Sequence, residues 1–578
     1  MAEQIISPGV FYNENVPTVL EAAAAPIGAA IIGPTVLGPV GIPTVVTTYS
    51  DYLTKFGGAI VSGGIPYSFL TNISAQNYFK QGGTNLLVTR VTAGAFTSAT
   101  SSFISASAVS GAATGSSVFT LKTISQGIVM NSTSTENSAG ALESGSQYNL
   151  RWEITNADTA SGVFTLLVRQ GDDRTADKTI LETWNRVSLD PTREDYVAKV
   201  IGNQEFSTGV DGTDSYVTVT GEYPNKSRYV IVSDVDQPTP YYLNGAGTVN
   251  SQYTGSSAIP KAQTGTFGSA TGNLLANNPA FYDKISDTNI QGLSASAYTA
   301  SINLLKNKDQ YAFNVISVPG LIYGLTSHKT VLDTLITNTT TRGDSILPID
   351  LVAYNSTTSA VVTQANSLNT SYAAAYWPWL LVRNEDTKAN VWCPASTVIP
   401  SVYVYNDNTS EAWFAPAGFT RGTMPNVVTP EKTLPRGLRD TLYNAKVNPI
   451  ATFPGTGVVV YGQKTLQTVA SALDRVNVRR LLITLKSYIG TVSQNLVFEP
   501  NSLQTRNSFL SVINPYLETV QQNQGLYAFK VVMDASNNGP DVIDRNELRG
   551  AIYLQPVKTA EFIVLDFNIL PTGAEFPA

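Results

Sequence analysis

Histidine and cysteine occur once each, at His328 and Cys393, in a chain of 578 residues. A structural zinc site draws on several such ligands, so one of each cannot close a coordination sphere. A Ser-His-Asp relay would have to use His328, yet no Gly-x-Ser-x-Gly turn presents a serine to it. His328 stands in Gly324-Leu325-Thr326-Ser327-His328-Lys329, a loop-to-helix junction where a surface or capping residue is expected. Gly457-Val458-Val459-Val460-Tyr461-Gly462-Gln463-Lys464-Thr465 imitates a phosphate-binding loop with one extra residue before the lysine. A phosphate cradle needs free backbone N–H groups, and Val-Val-Val-Tyr reads as a strand that uses them. Asp534-Ala535-Ser536-Asn537-Asn538-Gly539 opens like a calcium loop, but Arg545 occupies the place of the bidentate glutamate, so a turn is the better account. Arg475, Arg479, Arg480 and Lys486 cluster in sequence; read on a strand, Arg479 and Arg480 point to opposite faces and form no single anion track. These signals assign no catalytic residue, cofactor or metal, and the chain reads as a non-enzyme.

Bulk composition agrees with that reading. Charged residues make up 14% of the chain, against about a quarter in typical soluble domains, with Ser, Thr, Asn, Gly and Tyr filling the gap. Low charge density favours association over mutual repulsion. A net charge of -7 and a pI near 5.0 argue against direct nucleic-acid binding. One cysteine excludes an intrachain disulfide and suits a reducing compartment. The start Met1-Ala2-Glu3-Gln4 lacks the basic region of a signal peptide. Residues 22–46 are apolar, but Pro26, Pro34, Pro39 and Pro43 interrupt them, so no membrane insertion is expected.

The elements suggest a mixed α/β, α+β multidomain chain. Residues 1–25 read as an extended arm, broken by Pro8, Gly9 and Pro17, with Val10, Phe11 and Tyr12 as strand formers. Strand, helix (residues 68–81) and strand (86–91) follow as an α/β unit, and the same signal resumes near residue 300. One discontinuous α/β domain from 26–92 plus 300–475 is the economical topology. A Ser/Thr/Gly-rich β-type outer insertion at 94–146 and a β-rich middle domain at 148–298, with its own loop insertion at 238–280, would interrupt it. A small C-terminal α/β domain at 476–560 is expected as strand 478–486, helix near 505–523, strand 527–533 and strand 550–555. A terminal strand arm occupies 561–578. Ile563, Leu565, Phe567 and Ile569 fall on one face of it at period two, and that face needs a sheet to join.

Several blocks, in order along nearly the whole chain, resemble the contractile-tail sheath proteins of bacteriophages and the related tailocin sheaths. They are Ser7-Pro8-Gly9-Val10-Phe11, Gly33-Pro34, Gly38-Pro39-Val40-Gly41-Ile42-Pro43, Phe56-Gly57-Gly58, Leu181-Glu182-Thr183-Trp184-Asn185-Arg186-Val187-Ser188 and Ala415-Pro416-Ala417-Gly418. Leu442-Tyr443-Asn444-Ala445-Lys446-Val447-Asn448-Pro449-Ile450, Tyr461-Gly462-Gln463-Lys464-Thr465-Leu466, Asn477-Val478-Arg479-Arg480-Leu481 and Phe498-Glu499-Pro500-Asn501 complete the series.

The resemblance implies a homo-oligomer of stacked sixfold rings around a tail tube protein, bounded by baseplate and tail terminator proteins. It implies assembly in the host cytoplasm and a place in the virion. It also implies a metastable extended state whose contraction drives the tube through the host envelope. Terminal arms crossing to neighbouring copies are a further implication, and residues 5–20 and 561–569 are the expected inter-subunit strands. Arg506, Glu518 and Gln521, on the helix near 504–524, are the expected tube-facing residues. An adhesin or receptor-binding β-protein is the alternative suggested by the Ser/Thr/Gly-rich insertions. It predicts a repetitive all-β chain, against the α/β signals at 26–92 and 300–375. A hydrolase is the third reading, and no triad motif supports it.

Overall fold

A computed structural model describes residues 28–62, 64–106, 117–133, 135–212, 214–253, 259–274 and 284–561. Val10, Phe11, Tyr12, Ile563, Leu565, Phe567 and Ile569 lie outside the described residues.

The central body is built on apolar runs buried on both faces. Gly28–Gly33 pairs in parallel with Leu86–Arg90 on one side and Phe313–Ser317 on the other, and Thr44–Val46 closes that edge antiparallel. Ile346 extends the sheet, accepting from Ile316 N–H and donating to Asn314 C=O at 3.0 Å each. Leu347–Ile349, Ala373–Trp377 and Val447–Phe453 continue in parallel before Gly457–Val460 turns back antiparallel. Parallel strands need crossovers, and the helices Leu70–Lys80, Thr326–Arg342, Thr358–Asn366 and Arg436–Asn444 lie in them. Gly33 ends its strand where a Cβ would come within 2.3 Å of Thr71 Oγ1, so the helix packs this closely only against glycine. The Phe56-Gly57-Gly58 turn caps the helix Tyr49–Phe56, with Gly57 at φ 72° donating to Leu53 C=O.

A second sheet holds seven antiparallel strands in the order Ile180–Ser188, Val163–Gln170, Leu150–Asp158, Gln263–Gly268, Ser98–Ser101, Thr120–Gln126, Val230–Asp234. Residues expected as a separate insertion at 94–146 therefore share one sheet with the expected middle domain. The strand Gln263–Gly268 is the joint, pairing with Leu150–Asp158 along one stretch and with Ser98–Ser101 beyond it. Composition marks this unit off from the body but carries no information about which strands pair. Arg90 ties the unit to the body: its fully buried guanidinium donates to the carbonyls of Gly38, Gln126 and Val36. The Gly38–Gly41 turn completes the seam, Gly38 N–H donating to Ser125 Oγ and Val40 N–H to Gln126 Oε1.

The C-terminal unit has its own core of Leu481, Leu485, Phe509, Ile513, Leu517, Val520, Leu526 and Met533, joined by Trp413 from the body. It consists of the helices Val476–Gln494 and Leu503–Gln522 and the antiparallel hairpin Leu526–Val532 with Ala551–Pro556. The first helix replaces the strand expected at 478–486. Val478-Arg479-Arg480-Leu481-Leu482-Ile483-Thr484-Leu485 is rich in strand formers. The apolar positions 478, 481, 485, 489 and 492, however, recur at helical spacing once the window is lengthened.

Candidate functional site

No group of three or more His, Cys, Asp or Glu among the described residues could hold a metal ion. No helix among them is long and apolar enough to cross a membrane. His328 is fully buried in the first turn of Thr326–Arg342, not at the surface. Its Nδ1 accepts from Ile322 N–H at 3.0 Å and its Nε2 lies 3.1 Å from Ser286 C=O, which makes Nε2 the protonated nitrogen. Burial holds the imidazole pKa below its ordinary value. Both ring nitrogens are thus committed to backbone, and neither is free to activate a hydroxyl.

Asp350 is another buried titratable group. It stands just past Leu347–Ile349, accepting from the N–H (3.0 Å) and hydroxyl of Ser396, both neutral donors. Desolvation pushes its carboxyl up to about 7. Cys393 is fully buried nearby, and burial and then Asp350 raise its thiol far above the reactive range. This node welds the strand ends to the 395–397 turn; it lacks an imidazole partner and is structural.

The phosphate-loop mimic is likewise consumed by packing. Gly457–Val460 is laddered to Ile450–Phe453, Val460 N–H donates to Gly422 C=O, and Tyr461 N–H to Pro449 C=O at 2.8 Å each. Lys464 Nζ donates to Tyr443 C=O at 2.9 Å while lying 4.0 Å from the Tyr443 ring centroid. The calcium-loop mimic closes on itself: Asp534 Oδ1 accepts from Ser536 N–H at 2.8 Å, and Arg545 pairs with Glu547 at 3.1 Å.

The basic cluster resolves into three separate partnerships. Arg480 Nη2 donates to both carboxylate oxygens of Asp407. Arg479 donates to Ser371 Oγ and stacks 4.0 Å over Tyr372. Arg475 takes Glu561 in bidentate form, Nε to Oε1 at 2.7 Å and Nη2 to Oε2 at 3.0 Å. Tyr443 OH adds 2.7 Å to Oε2 and Gln463 Nε2 adds 3.2 Å to Oε1. Burial first, and then the Glu561 carboxylate, drive the Tyr443 phenol upward, so it stays a donor. Glu561, the first residue of the expected inter-subunit strand 561–569, has its side chain bound within the protomer. Only a resemblance block at 461–466 and a lone acidic residue before an apolar strand hinted at this cluster.

The C-terminal unit presents its own exposed face. Along Leu503–Gln522, Thr505, Arg506, Phe509, Ile513, Leu517 and Val520 turn inward. Arg506 is 8% exposed and bonds Ser502 C=O, so it does not present charge to a partner; Glu518 and Gln521 are exposed. Phe498 is fully exposed at φ 73°, in a loop anchored by Asn501 Nδ2 to Glu547 C=O at 2.8 Å. The hairpin is two-stranded among the described residues, with Tyr527 and Tyr553 exposed.

The phage tail sheath C-terminal domain family matches residues 468–569, which take in this unit. The tail sheath protein of Vibrio phage KVP40 is 41% identical over 217 residues, covering 38% of this chain and 32% of that one. The tail sheath protein of Enterobacteria phage T4 is 35% identical over 227 residues, covering 39% and 34%. The chain thus spans about a third of the length of these curated relatives. The crystal structure of a Listeria innocua sheath tail protein superposes with a TM-score of 0.53 at 9% identity, over 92% of this chain and 95% of that one, a likeness of fold.

Proposed function

We propose, from the match of residues 468–569 to the phage tail sheath C-terminal domain family, that this chain is a structural subunit of a contractile tail sheath and not an enzyme. Copies assemble in the host cytoplasm as stacked sixfold rings around an inner tube protein, between baseplate and terminator. Within the virion they contract from an extended state to drive the tube through the envelope. The observation that carries the reading is the family match falling on a unit with its own core and a two-stranded hairpin.

Strand addition is the mode that such a hairpin suits, because its outer edges offer main-chain donors and acceptors. Val10, Phe11 and Tyr12 from one neighbour and Ile563, Leu565, Phe567 and Ile569 from another would widen it, stitching rigid bodies that rotate about flexible links. Removing residues 562–578 leaves the Glu561 contacts in place. The expected result is a folded protomer, by thermal melting, that forms no sheath in negative-stain micrographs. Normal sheaths from this deletion refute the strand exchange.

A further inference from the structure

Glu561 is the last described residue, and its carboxylate is saturated. Four donor groups from three separate elements meet its two oxygens. Tyr443 comes from the helix Arg436–Asn444, Gln463 from the loop after Gly457–Val460, and Arg475 from the start of Val476–Gln494. An isolated surface ion pair contributes little, but a bidentate fork with further donors on each oxygen is both directional and geometrically specific. Gln463 is buried and also bonds Thr559 Oγ1 at 2.6 Å, so two residues of the same segment are gripped. Lys464 fixes the ring of Tyr443, and Asp474 pairs with Arg475 at 3.1 Å, leaving the charges of Lys464, Arg475, Asp474 and Glu561 balanced.

The path of the chain gives this grip its meaning. Ala551–Pro556 belongs to the C-terminal unit, and Val557 N–H still bonds Gly525 C=O there at 3.1 Å. Four residues later the chain is pinned to Tyr443 and Gln463 of the central body and to Arg475 at the start of Val476–Gln494.

Resting on the sheath reading, we propose that the Glu561 clamp is a positioning device. It fixes the point and direction at which residues 562–578 leave the protomer, and so sets their reach toward a neighbouring copy. Releasing it together with the Thr559 contact of Gln463 frees residues 558–561, adding about 14 Å of slack at roughly 3.5 Å per residue. A looser tether lowers the effective concentration of the arm at its receiving site.

The test compares the full chain with Glu561→Ala, Glu561→Asp and Tyr443→Phe. Trypsin cleavage after the exposed Lys558 reports the grip in the unassembled protomer, and sedimentation with negative-stain microscopy reports assembly. Glu561→Ala should be cut about tenfold faster at an unchanged melting temperature. Its concentration threshold for polymers should rise about tenfold. Glu561→Asp and Tyr443→Phe should fall between it and the parent. Unchanged cleavage, or faster cleavage with parental assembly, overturns the clamp's role. A melting loss shared by all three variants, with assembly following melting alone, reduces it to a fold-stabilising contact and overturns it too. If the unaltered chain forms no polymer, the sheath reading fails, and the clamp's role fails with it.

Discussion

Asp350 and His328 are buried a few residues from the same backbone bridge, Ile322 with Asp350, and they titrate in opposite senses. The folded chain keeps the Asp350 proton up to about pH 7, whereas an unfolded chain gives it up near 4. Folding takes up a proton between those values. Its stabilisation is complete below about 4 and is lost as pH rises through about 7, by about 1.4 kcal/mol per unit. His328 runs the other way: its lowered pKa means that stability is eroded once pH falls below about 6.5. Asp350→Asn should therefore abolish the alkaline decline of Tm between pH 5 and 8 and keep the acid one. A parental decline between pH 5 and 7 in that variant would show that another group is responsible. The burial of His328 went against the surface or capping role expected of it, although it sits three and four residues before Val331 and Leu332, on the stripe that continues through Leu335. The burial of Asp350 was not legible in the sequence, because a carboxylate after an apolar strand is ordinarily exposed, and only the fold brings Ser396 over it.

At the scale of elements, the seven-stranded sheet owes part of its specificity to buried charge. Arg169 on Val163–Gln170 is fully buried, forks onto Asp173 at 2.7 and 2.8 Å, and reaches Glu153 at 2.8 Å. Arg151 joins Asp173 to Glu136, and Lys178 closes on Glu153. Removing one partner strands a charge in low dielectric, so Arg169→Leu should destabilise this unit by about 3–5 kcal/mol. The measurement is a urea transition followed through the buried Trp152. Arg169→Leu with Asp173→Leu should recover much of the loss, and a single-variant effect under about 1 kcal/mol contradicts the assignment. The β-rich character of residues 148–298 was legible from the sequence, and so was the helix expected at 68–81, observed as Leu70–Lys80. The partners of the strands were not. Gln263–Gly268 pairs with residues more than a hundred positions away, and no local signal encodes that. Helix Val476–Gln494 was mistaken because a short apolar run looks alike in both periods.

At the scale of the whole molecule, a polar but weakly charged chain is bound together at three seams: Arg90 into the β-rich sheet, Trp413 into the C-terminal core, and Arg475 onto Glu561. Such seams leave the helix Leu503–Gln522 free to present its outer face while its inner stripe stays packed. Glu518 and Gln521 lie three residues apart, on neighbouring positions of that face. Arg506, on the inner stripe, belongs to the core. If the outer face meets the tube, reversing its charge should act on tube binding without touching the fold, since exposed substitutions shift stability by only about 0.5 kcal/mol. Glu518→Lys with Gln521→Lys is suitable because lysine can still donate to Tyr527 C=O, the contact Gln521 makes at 2.8 Å. The expected outcome is a chain that polymerises alone into tubeless sheath and no longer sediments with the tube protein. Undiminished co-sedimentation removes this helix from the tube interface. Loss of both assemblies at an unchanged melting temperature assigns the face to contacts between copies instead.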